Sequence, residues 1–292
     1  MNALNLPEPK QTLLNELTAR LIEIPGLAAL ALGGSYAGGT AHAASDLDLG
    51  LYYKEEKPLD LKAVRTLASA FSTQSPATVT GFYEWGAWVN GGAWIHTPVS
   101  KVDFLYRNIE QVQRTLREAS QGIFQHDYDQ QPTHGFYSVI YLAETSICVP
   151  LYDPQGMLSD LKQQVAVYPP LLKQRILSDC LWAAEFTLLH AHNFAAQGDI
   201  YNTAGCLSRV AANLNQALFA LNERYFLRDK QIMQTISGFS RLPEQYVPRL
   251  SQILACPGAD AFTLGNAVHA MQELWQAVVD LTGGFYQPKF RL

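Results

Sequence analysis

The chain has 292 residues, 48% of them hydrophobic and 16% charged, which excludes a disordered polymer and leaves room for two moderate cores. With 26 acidic and 21 basic side chains the formal charge is −5, and no basic block offers long nucleic acid a footing. Apolar runs stop short of membrane-spanning length, MNALNLPEPKQTL lacks an export signal's basic start and apolar middle, and four scattered cysteines suit free thiols in a reducing, cytoplasmic compartment.

Residues 10–22 place Leu13, Leu14, Leu17 and Leu21 near one helical stripe. Pro25-Gly26 ends that helix, and Leu27–Leu32 reads as a first buried strand. Gly33-Gly34-Ser35 follows, then small residues to 44, then Ser45-Asp46-Leu47-Asp48 opening a second apolar run to about Tyr53. This pattern predicts a strand end, a tight turn, a short helix and a strand carrying two acids. Alternation puts Asp46 and Asp48 on one face, about 6–7 Å apart, and Leu47 and Leu49 on the other. Like charges so placed repel, which a divalent cation would relieve. Gly33 and Gly34 permit close backbone approach, and Ser35 at a helix start suits a phosphate cradle.

Gly33-Gly34-Ser35, Gly38 or Gly39, and Ser45-Asp46-Leu47-Asp48-Leu49 together resemble the signature of the DNA-polymerase-beta-like nucleotidyltransferase superfamily. The local match is best to its small-molecule and minimal members. The segment has neither the P-loop GK[ST] ending nor a spaced G-x-G-x-x-G. The resemblance implies nucleotide binding at Gly33, Gly34, Ser35 and Ser45, metal ligation by Asp46 and Asp48, and a third carboxylate on a later strand.

Lys54–Pro58 reads as a solvated turn and 59–70 as a helix. Residues 78–106 are rich in β-branched and aromatic residues and predict strands at Thr78–Trp85, Trp88-Val89, Trp94–Thr97 and Val102–Tyr106, with a turn at Asn90-Gly91-Gly92. In the last strand Asp103 alternates with Val102 and Phe104; 55 residues beyond Asp48, it matches the third acid the resemblance requires. Glu84, within the aromatic strand, is either a solvated edge residue or an acid facing the acceptor; His96 is either a hydrogen-bonded neighbour of the core or part of the site. Residues 107–121 suit a polar-faced helix. His126, Asp127, Asp129 and His134 fall in a turn-rich tract that fits a loop better than a second metal site. Phe136–Pro150 reads as strand and Leu151–Gly156 as a connecting turn.

From about 157 the periodicity becomes helical: Leu158–Val167, Leu171–Ala196, Tyr201–Leu221, Arg228–Ile236, Glu244–Leu254 and Ala261–Leu281. Arg209, Asn213, Asn215 and Lys230 are its most conspicuous polar insertions. Lys230 is either an ordinary solvated lysine or, by the resemblance, a contact to the nucleotide phosphates. The expected fold is α+β: a catalytic domain at 1–156 with a mixed sheet and flanking helices, followed by a helical bundle at 157–292.

The function implied is transfer of a nucleoside monophosphate, AMP by preference, from ATP or another NTP to a hydroxyl on a small molecule. Mg2+ would be held by Asp46, Asp48 and Asp103, with Asp103 preparing the acceptor and Glu84 as a further catalytic acid. Protein AMPylation and an inactive nucleotide-binding or interaction module are the alternatives.

Overall fold

A computed structural model describes residues 6–74 and 76–291; the start of the segment read for an export signal lies outside them. The chain divides into two compact units. One takes residues up to Glu118 together with Gln125–Val167, the other Ala119–Phe124 and the chain from Tyr168 onward. The architecture is α+β, with a six-stranded mixed sheet in the first unit and helices in the second.

The first unit opens with α1 (Glu8–Leu21), followed by β1 (Ala29–Leu32), the single turn α2 (Gly34–Ala37) and β2 (Leu47–Tyr53). Helix α3 (Leu61–Phe71) is started by Asp60, whose carboxylate accepts the Lys62 and Ala63 backbone N–H groups. Three strands follow, β3 (Thr78–Val79), β4 (Gly92–His96) and β5 (Lys101–Asn108), and then α4 (Ile109–Ser120). A small hairpin pairs β6 (His126–Asp127) with β7 (Phe136–Tyr137). The unit ends with α5 (Val139–Ile147), β8 (Val149–Tyr152) and α6 (Met157–Gln164).

Across the main sheet the order is β3-β4-β5-β2-β1-β8. Only β2 and β5 run parallel; the other neighbours are antiparallel. Alternation then sorts the side chains cleanly. Leu30, Leu32, Leu47, Leu49, Leu51, Val102, Phe104, Ala93 and Ile95 point to one face, where Leu13, Leu14, Leu17 and Leu21 of α1 and Val64 and Leu67 of α3 bury them. The opposite face carries Asp48, Gly50, Tyr52, Asp103, Arg107 and Trp94. At its Tyr52–Arg107 end it is closed by α5, whose Glu144 takes the largely buried Arg107 guanidinium in two hydrogen bonds of 2.8 Å. The acids lie at the other end of the same strands.

Four sequence expectations change here, the first being Trp88-Val89, which is irregular chain between the 82–85 turn and β4 rather than a strand. Phe136–Pro150 is mainly the helix α5 rather than a strand, because VIYLAETSI buries its branched residues and Tyr141 on several sides, and tertiary packing overrides strand propensity. Thr78–Trp85 is a strand only at Thr78–Val79, and 82–85 is a turn in which Tyr83 adopts φ 57° and donates its N–H to Asn90 O at 2.5 Å. Leu151-Tyr152, expected in a turn, belong to β8 and pair with β1.

In the second unit α7 (Pro170–Ala196) and α8 (Ile200–Leu221) form a hairpin, turned by Gly198 at φ 68° and restarted by Asp199, whose carboxylate accepts the Asn202 N–H. Short helices α9 (Ile232–Ser237) and α10 (Tyr246–Ala255) precede α11 (Ala261–Asp280), which is opened by a capping box between Asp260 and Thr263. Asn215 is an internal partner here, accepting the Tyr246 hydroxyl at 2.9 Å. Fully buried Glu185 accepts the Tyr286 hydroxyl and the Lys289 and Phe290 N–H groups at 2.5–2.6 Å, pinning the segment after α11. Among the described residues no helix is long and apolar enough to cross a membrane. The four cysteines are free.

Candidate active site

The register of β2 against β5 builds the site. Asp48 is the pairing partner of Asp103, so two residues far apart in sequence stand side by side on one face, one strand spacing of about 4.8 Å apart. Asp46 lies two residues before Asp48, and burial alternates as expected: Ser45, Leu47 and Leu49 are buried while Asp46 and Asp48 are half-buried.

Gly34 completes the arrangement. It opens α2, two residues past β1, in the left-handed region at φ 59°, and a Cβ built on it would overlap the Asp48 carboxylate. Gly33 donates its N–H to the Asp48 carbonyl at 2.8 Å, tying the turn to the acid strand. The Gly-Gly-Ser turn and Asp48 are therefore in direct contact, and only a residue without a side chain fits between them.

The electrostatics follow from this crowding. Burial first, and then the Asp48 and Asp46 carboxylates, push Asp103 from the ordinary range up to about 6, against the pull of the Lys101 ammonium. A carboxyl held above its unfolded value contributes its full share of stability below the ordinary pKa near 4. That share is lost as pH rises through about 6. Ionised Asp103 therefore weakens the fold at neutral pH. Asp103→Asn is expected to raise stability in chelator-containing buffer at pH 7.5 by about 1–2 kcal/mol, the full linkage value being reduced for partial solvent exposure. The gain should vanish at pH 4, which thermal melts at the two pH values would show.

One supporting residue escaped the sequence reading. Lys10 is 6% exposed and directs its ammonium to the Tyr36 hydroxyl at 3.0 Å, the Ala43 carbonyl at 3.0 Å and the Ser45 carbonyl at 2.5 Å. It thus holds both ends of the connection from the Gly-Ser turn to Asp46. Its position was legible, since 10, 14, 17 and 21 form one helical stripe, so this lysine sits on the face that must be buried. Lys10→Met keeps the stem but removes the ammonium from the Ala43 carbonyl and leaves the Ser45 carbonyl only the Ser100 hydroxyl at 3.5 Å. It is expected to cost about 2–3 kcal/mol in urea unfolding. Ser45 serves the same connection: its hydroxyl accepts the His42 N–H at 2.9 Å.

The remaining candidates come from other elements. Glu84 is in the exposed 82–85 turn, not a strand, and accepts the Gly81 N–H at 2.6 Å. His96 is on the acid face at the end of β4, paired with Lys101 of β5. His126 stacks on Tyr137 at 4.0 Å within the small hairpin. Lys230 belongs to the helical unit, exposed in a turn before α9; the helix predicted from Arg228 begins only at Ile232, after Gln231 in the left-handed region.

Carboxylate oxygens with a glycine turn beside them have the donor chemistry of a magnesium site, a cation that takes one or two carboxylates and completes its shell with water and substrate phosphates. Among the described residues no group of three His, Cys, Asp or Glu side chains forms a ready-made metal cage.

Residues 14–119 match the family model of the nucleotidyltransferase domain. The chain is also similar to the crystal structure of a nucleotidyltransferase-like protein from Exiguobacterium sibiricum, at 10% identity and a TM-score of 0.45, covering 94% of this chain and 76% of that one. No curated protein matches in sequence.

Proposed function

From a nucleotidyltransferase domain at residues 14–119, we propose that the chain moves a nucleoside monophosphate, AMP by preference, from a nucleoside triphosphate to a hydroxyl on a small molecule. The observation that carries this reading is the pairing of Asp48 with Asp103 next to a Gly34 that has room for nothing larger.

The residues divide the work by position. Gly33, Gly34 and Ser35 take the triphosphate, the glycines allowing its oxygens to come close to the main chain. Ser45 and Lys10 act from behind by holding the connection. Magnesium, bound by Asp46, Asp48 and Asp103, would neutralise phosphate charge and make the acceptor hydroxyl easier to deprotonate. Asp103 takes the proton of that hydroxyl as its oxygen bonds to the α-phosphorus, while the bond to pyrophosphate breaks. With no cation bound, burial and its carboxylate neighbours raise Asp103 to about 6; magnesium on the same acids would lower it, so the carboxylate would be ionised and able to accept a proton at neutral pH.

The test is incubation of the purified chain with labelled nucleoside triphosphates, magnesium and a panel of small hydroxyl compounds, with products read by mass. An acceptor carrying a nucleoside monophosphate, with pyrophosphate released, is the expected result. Triphosphate that binds and is never turned over would favour the inactive-module alternative.

A further inference from the structure

The acid face continues past Asp103 onto a feature that nucleotide binding leaves unused. Trp94 of β4 is the pairing partner of Asp103, so it stands on the same face, one strand further out. Trp85, from the 82–85 turn, lies against it with ring centroids 3.9 Å apart and planes inclined by 30°. Trp85 nevertheless stays 41% exposed.

The turn that presents Trp85 is tied down on several sides. Glu84 accepts the Gly81 N–H at 2.6 Å, and Asn108 donates to the Tyr83 hydroxyl at 2.7 Å. Gln130 bridges the Trp85 carbonyl and the Trp88 N–H, and a Cβ on Gly86, at φ 105°, would overlap the Gln130 amide. An indole held this way needs little further ordering to receive a flat ring.

Resting on the nucleotidyl-transfer reading, we propose that the Trp85–Trp94 pair is the platform for the acceptor, and that the acceptor is a ring-bearing hydroxyl compound. The sheet order says why the occupant is the acceptor rather than the nucleobase. From the Gly-Ser turn at the end of β1 the strands run to Asp48 on β2, Asp103 on β5 and Trp94 on β4. Each step is about 4.8 Å. Phosphates on the Gly-Ser turn leave the attacking hydroxyl at Asp103, and the body bearing that hydroxyl extends outward over the indoles. A saturated sugar-like ring and an aromatic ring share this chemistry.

The test uses the full chain with Mg2+ and ATP and four probes: methyl glucoside and catechol as ring-bearing hydroxyl compounds, glycerol and ethylene glycol as open-chain ones. Binding is followed by calorimetry and transfer by mass. Ring probes are expected to bind at millimolar concentration or better and the open-chain probes not to. Trp85→Ala and Trp94→Ala should each weaken the ring probe about 10–100-fold, the range of a lost stacking contact, with Mg·ATP affinity unchanged and Trp85→Phe restoring most of the loss. Preference for an open-chain probe, no binding of either ring probe beside bound Mg·ATP, or ring binding unchanged in Trp85→Ala overturns the inference. Equal loss of ATP affinity in the variants would assign the platform to the nucleobase and overturn it too. If the unaltered chain binds none of ATP, GTP, CTP and UTP with Mg2+, the nucleotidyl-transfer reading itself falls, and the inference with it.

Discussion

Asp48→Asn and Asp103→Asn are each expected to slow nucleotidyl transfer on the order of 10²–10³-fold while leaving the gross fold intact. Both side chains are half-buried on the sheet face opposite the apolar core, so an amide of equal size should disturb no packing. What the substitution removes is charge where the proposed mechanism holds a cation and a proton. The two variants should still differ. Asp48→Asn should chiefly weaken magnesium-dependent triphosphate binding, because Asp48 touches the Gly-Ser turn. Asp103→Asn should lose the proton acceptor and so lower the rate of transfer with triphosphate binding less affected. Asp46→Asn belongs to the same series, with loss of activity expected. Circular dichroism would verify folding, and full activity in all three purified variants would sink the catalytic assignment.

Gly34→Ala is expected to cost about 10²-fold in activity or more, although it adds one methyl group. Two effects act together. The backbone at φ 59° disfavours any side chain by about 1–2 kcal/mol. The new Cβ would also occupy the space of the Asp48 carboxylate, so either the acid or the turn has to move. A displacement of about 1 Å in a catalytic constellation is enough to cost 10²-fold. Gly39→Ala separates the two effects, since Gly39 has φ 70° but nothing within 4 Å of a Cβ. It should lose some stability and keep activity within a few-fold. Equal rates for the two variants would show that the contact between turn and acid has no part in the chemistry.

Much of the site could be read in advance because its information is local. The alternation of DLDLGLYY places two acids opposite buried leucines without reference to any other segment, and paired glycines announce a turn. The failures have a common cause. VIYLAETSI carries strand-forming residues but is helical, because Tyr141, Leu142 and their neighbours find burial around α5 and Glu144 finds Arg107. Glu84 leaves the expected strand because the chain turns at Tyr83 toward Asn90. Lys10 was passed over because a charge on a helix suggests solvent, though its place in the leucine stripe suggested the reverse.

By itself, then, the order of amino acids determined the period of most strands and helices, the face each acid takes within its own strand, and the candidate residues of the site, since these depend on neighbours a few positions apart. Only the tertiary structure decided that β5 lies parallel to β2 with Asp103 opposite Asp48, that Gly34 has room for no side chain, and that two tryptophans extend the acid face. Those relations arise from strand pairing and burial between segments far apart in the chain, where the hydrogen-bond register of the sheet, not local propensity, selects which side chains meet.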